Sequence, residues 1–444
     1  MNKAFLDYYR CPESFANFRL RLESQTELRA GYFAFGKGNT CFGISGGPTS
    51  DEPGEGLFDA AYRVRFDGST CILPFNPTDI AKNLRHELYV NRRSSSGWKS
   101  LIRKLYYALR PLLPVSVRRH LQKAWLKGWD KNPFPSWPVD RSVDQMFEML
   151  MRLTLKASGY ERVPFIWYWP YGKASCAAMT HDVETESGLR FCSELMDIND
   201  SFQIKSSFQL IPDARYIVSE AALSSIKQRG FEINVHDLKH DGHLFDSFEK
   251  FQEAAVRINQ FGVNFGSKGF RSAILYRNQE WYGALKFSYD MSVPNVGHLD
   301  PQRGGCCTVM PYFIGNLLEV PVTTTQDYTL FNVLGTYSLD LWRQQISQIM
   351  QQHGLISFIV HPDYLDTPDA RNAYTALLGH LSELRDEANI WIALPGEIDT
   401  WWRQRSRMKL VAEASGWRIE GPGAERATIA YATLRDDKLA YEFA

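Results

Sequence analysis

From about residue 174 to 403 the chain alternates short apolar runs with longer amphipathic stretches. The apolar runs lie at 177–181, 205–211, 231–235, 269–273, 287–292, 317–322, 356–361 and 390–394 and have the length of buried strands. Between many of them, at 184–198, 220–228, 245–259, 340–352 and 370–387, apolar residues recur with the helical period. This alternation predicts an α/β barrel whose strand ends collect at one rim. Polar residues concentrate where the apolar runs close: Asp182, His236, Arg271, Asp290 and His361 each follow or end one.

The flanks have another texture. Strand-like pieces at 32–35, 40–44, 60–66 and 70–73 are separated by Gly-, Pro- and Asp-rich turns, which predicts a β-rich N-terminal module over 1–90. It is read as a packing appendage or a glycan-binding accessory. Residues 91–173 form a basic helical segment and linker, in which Pro133, Pro135 and Pro138 are followed by a helix at 143–158 and an aromatic run at 164–170. The barrel then occupies 174–405. Short strands at 417–419, 426–433 and 439–443 predict a C-terminal β appendage over 406–444, packed on the N-terminal module.

Between Glu87 and Asp130 no acidic residue occurs, while Arg103, Lys104, Arg110, Arg118, Arg119, Lys123 and Lys127 interleave with Leu101, Leu105, Leu109, Trp125 and Trp129. Leu101, Leu105 and Leu109 fall on one helical stripe, and Pro111 and Pro114 break it, so two short basic helices are expected. Residues 97–129 are thus a candidate for peripheral contact with an anionic bilayer. A solvated hairpin on the barrel, or a basic wall for an anionic glycan, reads equally from the pattern. No nucleic-acid motif accompanies the run, which argues against nucleic acid as a partner.

Composition narrows the class only a little. Lys+Arg and Asp+Glu balance at 50 each in 444 residues, so no global polyanion-binding or acidic character is indicated. Seven cysteines, including the neighbours Cys306 and Cys307, do not resemble a secreted disulfide framework. Asp7 and Arg10 interrupt the N-terminal stretch where a signal peptide needs its apolar region, and no long apolar run follows. The expected location is cytoplasmic, or peripheral on the inner face of a membrane.

The chemistry centres on 176–184, where a small apolar run ends at His181, Asp182 and Glu184. Two apart on an extended backbone, Asp182 and Glu184 point the same way and repel unless a cation or a shared proton separates them. After the third apolar run come His236 and His240. At this spacing in a helical turn two imidazoles share a face and can grip one metal ion. Two histidines and one carboxylate leave coordination positions open, as hydrolytic zinc sites require. His243 is read as a spare, a neighbour of the site or a surface residue.

Together, Thr180-His-Asp-Val-Glu184, His236-Asp-Leu-Lys-His240, Gly269-Phe-Arg-Ser272, Tyr289-Asp-Met-Ser292 and Val360-His-Pro362 resemble, in order and approximate spacing, the polysaccharide deacetylases, the NodB homology domain of carbohydrate esterase family 4. The resemblance covers roughly 174–403. It implies a distorted (β/α) barrel of about seven strands, a divalent metal, usually zinc, and hydrolytic removal of N-acetyl groups from amino sugars. It also implies Asp182 as general base, Glu184, His236 and His240 as metal ligands, Arg271 as partner of the base, His361 as general acid and Asp290 as a residue ordering the site. Three positions depart from the family pattern. Asp-x-Glu replaces an adjacent Asp pair, so the roles of Asp182 and Glu184 are exchangeable in principle. His181 takes a usually apolar position, as a neighbour of the site or a substitute ligand, and Asp237 replaces a Ser or Thr.

His298 and Arg303, in the loop 295–307, and the aromatics Trp281 and Tyr312 are candidate substrate-binding residues; Gln326, Asp327 and Tyr328 end a further strand that bears on substrate choice. The expected substrate is an amino-sugar glycan or a lipid-linked glycan precursor. The alternatives are a C–N hydrolase of cyclic amides or imides, and a catalytically inactive glycan-binding barrel.

Overall fold

In a computed structural model, residues 1–22, 29–90, 121, 123–414 and 416–444 are described. The expected helices before residue 121 therefore lie outside the described residues. Of the basic stretch, Leu121 and Trp125 are exposed and Leu126 is buried.

The N-terminal part begins with α1 (Lys3–Tyr9) and continues through β1 (Phe18–Leu20), the hairpin of β2 (Gly31–Ala34) and β3 (Thr40–Gly43), β4 (Arg65–Asp67), β5 (Thr70–Leu73) and α2 (Pro77–Arg85). The strand expected at 60–66 is divided. Asp59 accepts the N–H groups of Gly36 and Ala61, which winds Ala60–Arg63 into a 3-10 turn before β4 starts. Asn76 caps α2 ahead of Pro77, an N-terminal arrangement written in the sequence. Helix α3 (Ser142–Ser158) starts within a residue of its expected place, and β6 (Arg162–Ile166) opens the aromatic run.

Every strand expected in the barrel is present, most of them shortened. They are β7 (Cys176–Val183), β8 (Ser207–Leu210), β9 (Glu232–His236), β10 (Gly269–Arg271), β11 (Tyr289–Asp290), β13 (Leu317–Glu319), β14 (Leu355–Ile359) and β15 (Trp391–Ile392), with an added β12 (Tyr312–Ile314). They form one nine-stranded sheet in the order β12-β13-β11-β10-β9-β8-β7-β14, with β15 also on β7, and only β12 runs antiparallel. Beyond β13 the chain crosses to β14: Thr324 N–H donates to Ser357 O (3.2 Å), and Thr323 Oγ1 accepts from Ser357 N–H (2.9 Å). These bonds draw the sheet into the distorted (β/α) barrel.

Helices α4 (Glu186–Ser201), α5 (Glu220–Gln228), α6 (Phe248–Phe265), α7 (Asp340–Met350), α8 (Pro368–Glu387) and α9 (Pro395–Arg407) surround it. Thr185, Ser219, Ser247 and Thr367 cap α4, α5, α6 and α8 with their hydroxyl oxygens. Along β7 the alternation of side chains divides two cores. Ala177, Met179 and Val183 pack outward with the helices, whereas Cys176 and Ala178 face inward, so Thr180 and Asp182 also point into the barrel.

The C-terminal strands are the hairpin β16 (Lys409–Glu413) and β17 (Gly416–Glu420), then β18 (Ile429–Arg435) and β19 (Lys438–Phe443). β18 pairs with β6, so the aromatic run joins the C-terminal sheet instead of leading directly into the barrel. Phe5, Tyr9, Phe33, Phe147 and Trp167 share one buried core with Tyr289, Leu318 and Trp401 of the barrel. Arg405 of α9 lies at its centre. It donates to the carbonyls of Tyr8, Ile166 and Trp167 and sits over the Tyr168 and Trp402 rings, and among the described residues no carboxylate forms a salt bridge with it. Burial pushes its pKa down to about 9. Arg405→Leu leaves those carbonyls buried without a donor and is expected to cost about 3 kcal/mol or more, measured by urea unfolding monitored through tryptophan fluorescence.

Candidate active site

The site forms where β7, β9, β10 and β14 end. Asp182 emerges on the inner face of β7, and Arg271, at the end of β10, reaches across the barrel to it. Arg271 Nη1 lies 2.7 Å from Asp182 Oδ1 and 2.7 Å from Thr180 Oγ1, and its Nε donates to Met291 O. Both side chains are buried. Burial alone raises the Asp182 pKa; the guanidinium, with His236 and His361 nearby, brings it below its ordinary value.

Glu184 follows the last residue of β7 and turns to the histidines. Its Oε1 lies 3.0 Å from His240 Nε2 and 3.7 Å from His361 Nε2. Against burial, His240 holds the Glu184 carboxyl well below the usual carboxylate range, and Glu184 holds His240 above its own. His236 closes β9. Its Nδ1 faces Arg271 O at 3.1 Å and so carries the proton, which leaves Nε2 as a lone pair, buried and without a hydrogen-bond partner.

The two histidines do not share a helical face, as their spacing suggested. After His236 the chain takes a left-handed turn at Asp237 (φ 57°) and a second at His240 (φ 55°), and this loop folds the rings to 4.9 Å apart. Asp237 makes the turn: its carboxylate accepts the N–H groups of Leu238 and Ala273, and its own N–H donates to Arg271 O. A Ser or Thr hydroxyl accepts fewer such bonds, which accounts for Asp at this position.

Glu184, His236 and His240 each offer one ligand atom, all within 4.8 Å of one another. Two imidazole nitrogens and a carboxylate oxygen, one of the nitrogens an orphaned buried lone pair, are a donor set that fits a divalent cation. Asp182 stands beside this group, its Oδ2 3.7 Å from His236 Nε2, with its other oxygen taken by Arg271.

His361 closes the far side. Asp327 grips it twice, through His361 N–H (2.7 Å) and through Nδ1 (2.6 Å). Burial works against the charged ring, but the Asp327 carboxylate outweighs it and pushes the pKa up to about 10. Asp327 was legible as the polar end of a strand; its partner was not, because the barrel must close before residues 327 and 361 meet.

Asp290 stands one layer behind. It accepts from Ser292 N–H and Oγ–H, and Ser292 Oγ in turn accepts Ser272 N–H, next to Arg271. Glu319 lies at the same level of β13; burial raises the pKa of both carboxyls, and the neighbouring Asp290 raises that of Glu319 further.

The other singled-out residues lie apart from this cluster. His181 points outward: Nδ1 meets Val360 O at 3.0 Å, Nε2 faces Asn199 and Tyr374, and burial lowers its pKa to about 4. It is a packed neutral histidine, and neither a substitute ligand nor a contact of one. Trp281 packs among Phe245, Phe248 and Phe251. Tyr312 is buried, with its hydroxyl on Arg85 O and Gln279. His298 is buried and stacks on Trp137, and His243 pairs with Asp246 at the surface. Arg303 is exposed, reaching Asn132 at 3.5 Å. The loop carrying His298 and Arg303 is pinned by Glu87, which accepts Gly305 N–H and forms a buried pair with Arg277.

Removing Arg271 leaves Asp182 charged and buried without its cation. Arg271→Met is expected to destabilise the chain by about 3–5 kcal/mol in urea unfolding, and adding Asp182→Asn to recover much of that loss, a coupling read from the double-mutant cycle.

No family model and no curated protein matches the chain. Among solved structures it is similar to a polysaccharide deacetylase candidate from Mycobacterium smegmatis, at 18% identity over 54% of this chain and 93% of that one, with a TM-score of 0.42. It is also similar to the allantoinase Puue, at 13% identity over 53% and 92% of the two chains and a TM-score of 0.39. A third is the peptidoglycan deacetylase PdaC of Bacillus subtilis, at 11% identity over 53% and 95% and a TM-score of 0.33.

Proposed function

We propose that the chain is a metal-dependent hydrolase that removes N-acetyl groups from an amino sugar in a glycan or glycan precursor. One observation carries this reading. Glu184, His236 and His240 present their ligand atoms within 4.8 Å, with the Arg271-paired Asp182 and the Asp327-held His361 beside them.

Glu184, His236 and His240 would hold the cation, with zinc favoured by two imidazoles and a carboxylate. When bound, it supplies a Lewis acid that polarises an amide carbonyl and acidifies water. The chain's own groups perform the proton transfers. Asp182, kept ionised by Arg271, takes a proton from water as its oxygen adds to the acetyl carbon. The C–N bond then breaks, and because an amine anion is a poor leaving group, the nitrogen must be protonated. His361, held cationic by Asp327, gives that proton, so acetate and the free amino sugar leave.

Acetate release from a panel of N-acetylated amino sugars, together with the metal content of the purified chain, tests this. About one divalent ion per chain is expected, lost on replacing His236 and His240. Asp182→Asn and His361→Gln should each lower kcat by about 10²–10⁴ while metal remains bound. A chain that opens cyclic amides and releases no acetate is the competing outcome.

The run of Lys and Arg among aromatic and leucine residues at 97–129 favours a lipid-linked substrate form. Among the described residues no helix is long and apolar enough to cross a membrane. Binding to anionic vesicles at low salt is expected, weakening when Lys and Arg between 99 and 127 become Gln. Failure to bind, with full activity of that variant on a lipid-linked substrate, sinks the idea.

A further inference from the structure

Glu184 is the carboxylate of the candidate ligand group. It lies past the end of β7 and carries a longer, more flexible side chain than the histidines. Its carboxylate is nevertheless aimed, and the residues that aim it belong to the turn bearing His361. The main-chain N–H of Glu184 donates to Asp363 Oδ2 at 2.9 Å. Asp363 Oδ1 accepts from the hydroxyl of Thr185, which also caps α4. The Tyr364 hydroxyl approaches Glu184 Oε2, the oxygen turned away from His240, at 3.4 Å. Pro362–Tyr364 is a 3-10 turn that starts at His361, and the Tyr364 ring packs 4.9 Å from the imidazole. Helix α4 makes room for this arrangement. A Cβ on Gly188 would sit 2.5 Å from Asp363 Oδ1 and 2.6 Å from Oδ2.

We propose that Asp363 and Tyr364 are positioning residues for Glu184, Asp363 holding its main chain and Tyr364 its distal carboxylate oxygen. A single turn thereby fixes the metal ligand relative to His361. The proposal rests on the metal reading above and extends it to residues that touch neither metal nor substrate. A ligating carboxylate held by a hydrogen bond on its outer oxygen loses less freedom on binding, and loss of such a partner commonly weakens affinity 10–100-fold.

The test uses the full chain, stripped of metal by a chelator and titrated with zinc against a chromophoric competitor. Thermal unfolding of the metal-free protein is followed in parallel. Tyr364→Phe, which keeps the packing ring, is expected to raise the Kd about 10-fold with little change in the metal-free Tm. Asp363→Ala should raise it about 10–100-fold, and Asp363→Asn less, because its amide oxygen can still accept from Glu184 N–H. Gly188→Ala, by displacing the Asp363 carboxylate, should behave like Asp363→Ala. A lowered metal-free Tm with unchanged Kd in all four variants overturns the proposal and leaves these residues a purely structural role. A wild-type chain that binds no divalent ion overturns the metal reading itself.

Discussion

Burying a carboxylate is expensive unless a cation meets it, and the barrel is arranged around two carboxylates leaving the same strand. Asp182 and Glu184 emerge from the end of β7 on one side, too close to remain ionised alone. The fold assigns each its own positive partner. Arg271 crosses from β10 to Asp182, and the histidine loop after β9 comes to Glu184. This separation makes the carboxylates different in kind: one has an oxygen committed to a guanidinium, the other faces two buried imidazoles.

Support spreads outward from these pairs. Asp290 and Glu319 lie side by side behind Arg271, and Ser292 links Asp290 to Ser272 at the arginine's strand end. Asp237 ties the histidine loop to the same strand end. Asp327 binds His361 through ring and main chain together, which fixes the face of the imidazole. Acidic groups at successive strand ends thus meet different partners: Arg271 for Asp182, His240 for Glu184, His361 for Asp327, and a second carboxyl for Asp290.

The flanking segments extend the barrel's core. Arg405 donates to carbonyls of α1 and of the aromatic run, and β18 pairs with β6. The Glu87–Arg277 pair joins α2 to loops after β10 and β11, and Tyr89 donates to Gly305 O. An unpaired buried charge is costly, so these contacts hold the N-terminal part in register with the barrel.

Periodicity located each parallel strand of the barrel but not the antiparallel β12, because two-sided burial imposes unbroken apolar runs and the helices between them keep a 3.6-residue stripe. The ionisable residues closing those runs were legible for the same reason: a strand end is where a polar side chain can escape the core. Local sequence could not show that His181 turns outward. Its place depends on which face of β7 the helices cover, and alternation settles that only once Ala177 and Met179 are known to pack with them. The conformation of the His236–His240 loop was equally hidden, since spacing of four suits a helix or a tight turn, and the left-handed Asp237 is stabilised by Ala273, 36 residues away. The strand positions and the kinds of chemistry at their ends were determined by the sequence itself. Which oxygen faces which nitrogen was decided by the closed barrel, because only closure brings residues 182, 271, 327 and 361 within hydrogen-bonding distance of their partners.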